Sequence, residues 1–244
     1  MSVDGKAKDS YLKIKMEKSH KNPLLQAKEL LADAQKSHKA VICYYSGGKD
    51  SLVVLDMCSK MGFEKIVCVH KYFIPDLEIV EKQMQYAKSR WGVDVIQYPS
   101  NTAIKYLKAG DYNDPSPDIN DLPNIDASEI ERIARNETGI QLICTGHKRT
   151  DAFGQGLSNA EWANRKLNIV QPIVFWNKFH VLAYLKANDI PLPESDGRNS
   201  SSMDLHPKNI IWLYKNHIND FRKIEKVFPY IEAIVWRNKF YEKD

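Results

Sequence analysis

The sequence has few cysteines, little excess charge and no long apolar run, and each shortage argues against a class of protein. Its four cysteines form no C-x-x-C pair, so a zinc ribbon is unsupported. There is no apolar run of about 18 residues, and we therefore predict no membrane span. The net charge of +4, from 35 basic and 31 acidic residues, is too small to indicate nucleic-acid binding by itself.

The cysteines are spread over several predicted elements. Cys43, Cys68 and Cys144 fall in predicted strands and Cys58 in a predicted helix. We expect buried free thiols, which suit a reducing cytoplasm. An iron–sulfur cluster would need three or four of them to converge, and their different elements argue against that. Neither such a cluster nor zinc is predicted.

The 244 residues suffice for one large α/β domain with a smaller appendage. Residues 1–21 contain many lysines but no apolar core, so a secretory signal is not predicted. We expect a flexible basic arm there, and a nucleic-acid tail is the less favoured alternative. The remainder divides into a nucleotide-binding α/β domain, residues 22–190, and a substrate loop with a helical appendage, residues 191–244.

Apolar runs and helical patterns alternate along the first half of the chain. Asn22 and Pro23 predict a helix N-cap and first turn. Strands are predicted at 40–45, 65–71 and 93–98, with connections too long for hairpins. The pattern predicts a parallel twisted sheet with right-handed crossovers and helices on both faces.

The second half completes this sheet and then changes character. Residues 110–124 are rich in Pro and Asp and predict a loop or lid. Two further strands are predicted at 141–145 and 168–172, and a helix capped by Asn177 follows. Aromatic residues and Ile at helical spacing after Pro207 predict the helical appendage. In the first half of the chain, a helix is predicted to begin at Pro75-Asp76, between the strands at 65–71 and 93–98.

Residues 46–51 read Ser-Gly-Gly-Lys-Asp-Ser and stand between the first strand and a helical stretch. Glycines let the backbone turn sharply and approach a ligand closely. The free N–H groups and positive dipole end of the following helix bind anions. Lys49 adds a full positive charge, and Asp50 suggests a ligand for Mg²⁺ beside phosphates. We therefore predict a phosphate-binding site here.

This segment lacks the G-x-x-x-x-G-K-[ST] spacing of a Walker A loop. It resembles the PP-loop of the ATP pyrophosphatase superfamily, which implies that residues 46–51 grip pyrophosphate or an equivalent anion. Ligands of open α/β sheets bind at the carboxyl ends of strands. Three such ends, at 46–51, 70–76 and 146–151, are predicted to converge.

Residues 171–191 narrow the resemblance to one family. They include Gln171-Pro172-Ile173, Trp176, and the Ile190-Pro191 pair. The stretch resembles the phosphoadenylyl-sulfate (PAPS) reductase and ATP sulfurylase small-subunit family, although His180 and Ala183 replace its usual Asp and Trp. We expect the stretch to be structural, with one apolar helix face docked on the sheet.

The same resemblance implies an anion-binding site around residue 148. Gly146 matches the family's G-x-R-x-x-E-S motif, while Lys148 stands in place of Arg. Lys keeps the charge but loses the bidentate fork, so Arg149 is a candidate to take over. Arg198 lies in a segment that resembles the family's substrate loop, and arginine suits sulfate or phosphate. The strand end at His70 corresponds to the segment that cradles adenine.

One departure from the family concerns its reaction. PAPS reductases carry a C-terminal E-C-G-[IL]-H segment whose cysteine forms a covalent intermediate, and a thiolate is needed there. This sequence contains no cysteine after Cys144. Reduction by that route is therefore not the favoured interpretation.

The favoured function is an enzyme that binds ATP and Mg²⁺, cleaves ATP between the α and β phosphates and adenylates an anionic acceptor such as sulfate. PAPS reductase-like or sulfotransferase-like chemistry with a thioredoxin-like thiol donor is the alternative. A non-catalytic nucleotide-binding subunit of a larger complex also remains open, as does homo-oligomerisation. The predicted catalytic residues are Lys49, Asp50 and Lys148; those for the nucleotide are Ser46, Gly47, Gly48, Lys49, Asp50, Ser51, His70 and Gly146; those for the substrate anion are Lys148, Arg149 and Arg198.

Overall fold

A six-stranded sheet with strand order β3-β2-β1-β4-β6-β5 forms the centre of the protein. The computed structural model describes residues 22–114, 116–149, 163–164, 168–194 and 203–241. Five strands are parallel and β5 runs antiparallel to β6. The predicted parallel sheet is thereby confirmed. The strands are β1 (Ala40–Tyr44), β2 (Lys65–Tyr72), β3 (Asp94–Pro99), β4 (Ile143–Cys144), β5 (Ala163–Asn164) and β6 (Ile169–Val170).

Helices connect these strands and continue into the C-terminal appendage that the sequence predicts. None of the helices in the described ranges is long and apolar enough to cross a membrane. The helices are α1 (Pro23–Gln35), α2 (Lys49–Met61), α3 (Glu78–Trp91), α4 (Asn101–Ala109), α5 (Pro117–Asn120), α6 (Ala127–Thr138), α7 (Lys178–Ala187), α8 (Pro207–Asn216), α9 (Ile218–Glu225) and α10 (Glu232–Tyr241), with a 3-10 turn at Pro229–Ile231.

Local capping explains where most of these helices begin and end. The Asn22 side chain accepts a hydrogen bond from the Leu24 amide at 2.9 Å, as expected of an N-cap. Gly62 ends α2 in the left-handed conformation, with φ of 78°. Asn177 caps α7 by accepting from the His180 amide. These signals are local, and the helix starts predicted at Asn22 and Asn177 are confirmed.

The predicted bounds of one helix and two strands are wrong. The helix predicted from Pro75-Asp76 begins at Glu78, because Asp76 has a φ of 59° and cannot belong to a helix. The strands predicted at 141–145 and 168–172 shorten to two residues each, since only two residue pairs join β1 to β4 and β4 to β6. The predicted loop or lid at 110–124 contains the short helix α5.

The cysteines form a buried layer, which corrects the expectation that they stay apart. Cys43 stands in register with Cys68 on one side and Cys144 on the other. Cys58, from α2, lies close enough to Cys43 and Cys144 for the thiols to affect one another's pKa. Interaction with the Cys58 thiol, and then burial, raise the pKa of Cys43; burial raises the pKa of Cys68. Within the part of the chain that the structure describes, no three His, Cys, Asp or Glu side chains could hold a metal ion.

The C-terminal appendage is joined to the sheet domain by an aromatic contact and a buried carboxylate. Phe73, which follows β2, stacks on Phe228 with ring centroids 5.8 Å apart. Asp220 of α9 is 1% exposed and accepts hydrogen bonds from the Glu78 and Ile79 amides at 2.6 and 2.9 Å. Asp220 thus caps α3 from another part of the chain, and the appendage fixes where α3 begins.

We expect Asp220→Ala to lower the free energy of unfolding by about 1–3 kcal/mol, because two amides at the start of α3 lose their acceptor in a buried setting. Denaturant titration of the full chain measures this change. Asp118→Ala is the matched control, since Asp118 is exposed and should stay within about 0.5 kcal/mol of wild type. Equal stability of the two variants would contradict the capping role.

Candidate functional site

The loop between β1 and α2 has the geometry of an anion-binding turn. Gly47 has a φ of 74°, and a Cβ there would lie 3.0 Å from the Gln83 Cβ. The Ser46 hydroxyl accepts from the Gly48 amide at 3.3 Å, and the Ser51 hydroxyl donates to the Gly48 carbonyl at 2.8 Å. The N-cap of α2 is Gly48, which has no side chain to cap the helix, and the start of such a helix suits an anion.

Two lysines share one carboxylate at this loop. The Lys148 Nζ lies 2.6 Å from Asp50 Oδ2, and the Lys49 Nζ lies 3.8 Å from the same oxygen. The side chains of Lys49 and Lys148 are only 17% and 7% exposed. The cluster therefore carries one net positive charge beside the amides of α2, in a partly dehydrated position where charge acts more strongly.

Gly146 brings the loop after β4 against the start of α2. A Cβ on Gly146 would lie 3.1 Å from the Asp50 carbonyl carbon and 3.2 Å from the Ser51 amide nitrogen. A larger residue would force the two segments to move by a few tenths of an ångström, which would disturb the approach of Lys148 to Asp50. Gly146 thus positions Lys148, and the structure brings together the strand ends at 46–51 and 146–149.

A cavity of about 370 Å³ opens beside the loop, at the carboxyl ends of β2 and β3. Its walls combine apolar side chains from α3 and α6 with polar groups from the strand ends. The polar lining includes Ser46, His70, Lys71, Gln83, Ser100, Asn101 and Thr102; the apolar lining includes Phe73, Ile79, Val80, Ile125, Ile130 and Met203.

His70 presents an unsatisfied acceptor among the residues that line this cavity. Its Nδ1 is 2.9 Å from the Tyr45 carbonyl oxygen, so Nδ1 carries the proton and donates. Nε2 of the neutral ring is then an acceptor, and it is buried with no hydrogen-bond partner among the described residues. Burial lowers the pKa of His70, although the Tyr45 carbonyl and Glu81 act in the opposite direction.

Asn101 supplies a second acceptor of this kind, since its buried Oδ1 has no hydrogen-bond partner in the part of the chain that the structure describes. Two unsatisfied acceptors on one cavity suit a ligand that donates hydrogen bonds, such as an amino group or a hydroxyl. Sequence reasoning identified His70 but missed Asn101, Lys71 and Gln83. Asn101 follows β3 and therefore stands at another strand end, which is the signal that could have found it.

Arg149 and Arg198 are the other residues predicted to bind the substrate anion. The Arg149 amide donates to the Val174 carbonyl at 2.8 Å, and the residue is exposed. Arg198 lies outside the described residues. Their roles toward a substrate anion remain predictions.

The two carboxylate oxygens of Asp50 differ in their surroundings. Oδ2 pairs with Lys148, whereas Oδ1 is buried with no hydrogen-bond partner among the described residues. Asp50 thus anchors Lys148 beside the loop. In the described ranges no group of three His, Cys, Asp or Glu side chains could hold a metal ion. Magnesium is commonly bound by one or two carboxylates together with substrate phosphates, and the role of Asp50 in placing Mg²⁺ stays a prediction.

Solved structures with a similar fold include nucleotide enzymes. A PAPS reductase from Candida auris, in a phosphate complex, has a TM-score of 0.50 and 16% identity over 73% of this chain and 87% of its own. Yeast FAD synthetase has a TM-score of 0.51 and 13% identity, over 74% of this chain and 63% of its own. FMN adenylyltransferase from Candida glabrata, in complex with FMN and an ATP analogue, has a TM-score of 0.50 and 16% identity, over 74% of this chain and 60% of its own.

At these identities the likeness concerns the fold. No curated protein matches the sequence. The model of the phosphoadenosine phosphosulfate reductase domain matches residues 40–194, which span β1 to the segment after α7 and contain the loop, the lysine cluster and the cavity's strand ends. The chain therefore belongs to the phosphoadenosine phosphosulfate reductase family.

Proposed function

We propose that this protein binds an adenine nucleotide and cleaves ATP between the α and β phosphates, transferring the adenylyl group to an anionic acceptor such as sulfate. The observation that carries the proposal is the continuity of the loop with the cavity, since Ser46 and Gly47 line both. The loop suits the phosphates, while the acceptors of His70 and Asn101 suit the amino group or ribose of the nucleoside.

The reaction needs positioning and charge stabilisation more than acid–base catalysis. An acceptor oxygen attacks the α-phosphorus, the bond to the bridging oxygen breaks, and its electron pair leaves on pyrophosphate. The α2 amides with Lys49 and Lys148 would stabilise the charge that develops on this leaving group. An acceptor that is already an anion has no proton to lose. Magnesium, arriving with ATP, would neutralise part of the phosphate charge.

A second candidate substrate is PAPS, and a specific observation favours it. Ser100 does not cap α4 through its side chain, and Ser100, Asn101 and Thr102 line the same cavity as Lys71. The free amides of α4 and the lysine form a second place for a phosphate, away from the β1 loop. Because the four cysteines are buried, reduction of PAPS would need an external thiol, such as that of thioredoxin.

The nucleotide is tested by thermal shift with ATP·Mg²⁺ and with PAPS, each near 100 times its Kd. Such a ligand adds about 2.7 kcal/mol, or roughly 5–10 °C for a chain of this size. We expect Lys49→Ala to abolish most of the shift, because Lys49 neutralises bound phosphate. Pyrophosphate release from ATP with sulfate as acceptor then tests turnover, and we expect Lys148→Ala to reduce its rate.

Lys88→Ala is the control for these variants, since Lys88 is exposed in the last turn of α3. It should leave both shifts unchanged. A shift by PAPS alone would reject ATP as the substrate and support the second candidate. Binding without pyrophosphate release, with any acceptor tried, would support a nucleotide-binding subunit. Absence of a shift with both ligands would reject the proposed site.

The role of His70 predicts a pH dependence of nucleoside binding. The pKa of His70 lies below its ordinary value of 6.5, so the ring is neutral and accepting at pH 7. Protonation on acidification turns Nε2 into a donor. We therefore expect the affinity for adenosine to be constant above pH 6.5 and to fall as the pH drops through the lowered pKa. Isothermal titration calorimetry between pH 5 and 8 measures this.

His70→Asn is the matched variant, because the asparagine amide can still donate to the Tyr45 carbonyl but lacks an equivalent of Nε2. It should bind adenosine more weakly at pH 7 and lose the acid dependence. Adenosine carries no phosphate, so titration of the ligand's phosphates does not enter. An unchanged acid dependence in His70→Asn would remove His70 from the nucleoside site.

A further inference from the structure

Helix α10 presents large aromatic side chains to solvent on the side that faces away from the core. Trp236, Phe240 and Tyr241 are 63%, 74% and 66% exposed, whereas Ile234 and Val235 of the same helix are buried. The rings of Phe240 and Tyr241 meet edge to face, with centroids 5.6 Å apart. Exposed rings clustered in this way mark interaction surfaces more often than isolated ones do.

Two cations lie among these rings. The Lys239 Nζ is 4.8 Å from the centroids of both the Trp236 and the Tyr214 rings. The Arg237 Cζ is 5.9 Å from the Tyr241 ring. In the described ranges no carboxylate forms an ion pair with Arg237 or Lys239. We call Trp236, Arg237, Lys239, Phe240 and Tyr241 the α10 patch.

The positive charge of the α10 patch disfavours a second copy of the chain as its partner and favours a negatively charged one. Glu232, the acidic residue of α10, is 3.2 Å from Arg222 and is thus engaged elsewhere. A symmetric contact with a second copy would bring the patch cations against each other with no patch carboxylate to compensate. Each cation lies over one face of a ring, Lys239 over Trp236 and Arg237 over Tyr241. A polymer with alternating flat groups and negative charges could contact the rings and the cations together.

We propose that the α10 patch binds single-stranded polynucleotide, with bases stacked on the exposed rings and backbone phosphates paired with Arg237 and Lys239. Aromatic platforms flanked by cations are the general means of holding single strands with little sequence preference. This binding surface is separate from the nucleotide site and does not depend on the proposed function. Lys49→Ala should therefore leave it intact.

The test measures fluorescence anisotropy of labelled 12-nucleotide DNA and RNA strands with the full chain. Trp236→Ala and Phe240→Ala should each weaken binding by about 5- to 150-fold, the range for loss of one stacked base. Arg237→Gln combined with Lys239→Gln should reduce the slope of log K against log salt by about 1.4, since each phosphate contact contributes about 0.7. Retained melting temperatures verify the folding of each variant.

Phe179→Ala and Lys186→Glu, both at exposed positions of α7, are matched controls that should not change binding; Phe179 is 74% exposed, like Phe240. Binding of DNA, RNA or both that the α10 substitutions weaken supports the proposal, and the strand that binds more tightly identifies the kind of polynucleotide. Binding that those substitutions leave unchanged overturns it. So do absence of binding, a dimer that Trp236→Ala dissociates, and preferential binding to phosphatidylserine vesicles.

Discussion

The short ion pair between Asp50 and Lys148 joins two segments that are about a hundred residues apart in sequence. Its geometry depends on Gly146, because a side chain there would meet the backbone of Asp50 and Ser51. In a parallel sheet the ends of adjacent strands lie side by side, and β1 and β4 are neighbours although β2 and β3 come between them in the chain. The site therefore follows from strand order, and one glycine sets how closely its two halves approach.

Much of this arrangement could be predicted from the sequence. The glycine turn after an apolar strand, the caps at Asn22 and Asn177 and the alternation of strand and helix are local signals, and the structure agrees with each. The convergence of strand ends followed from the parallel sheet. The cavity's Gln83 was not predictable, because its importance comes from which elements pack together and not from its neighbours in the chain.

The start of α3 shows the same limit on a smaller scale. Proline and aspartate at 75–76 are an ordinary helix-initiating pair, yet the helix starts later, where Asp220 accepts its first amides. A cap supplied from more than a hundred residues away leaves no local pattern. The cysteines illustrate the converse case: their different elements suggested separation, but the register of β1 with β2 and β4 aligns three of them in one row.

That row has a practical consequence for chemical labelling. The thiols are fully or almost fully buried, and burial and thiol–thiol contacts raise the pKa values of Cys43, Cys58 and Cys68. Maleimides react with an accessible thiolate, so the folded protein should be nearly unreactive toward them at neutral pH. A single cysteine introduced on the surface would then be the preferred attachment point, with all four native cysteines left in place.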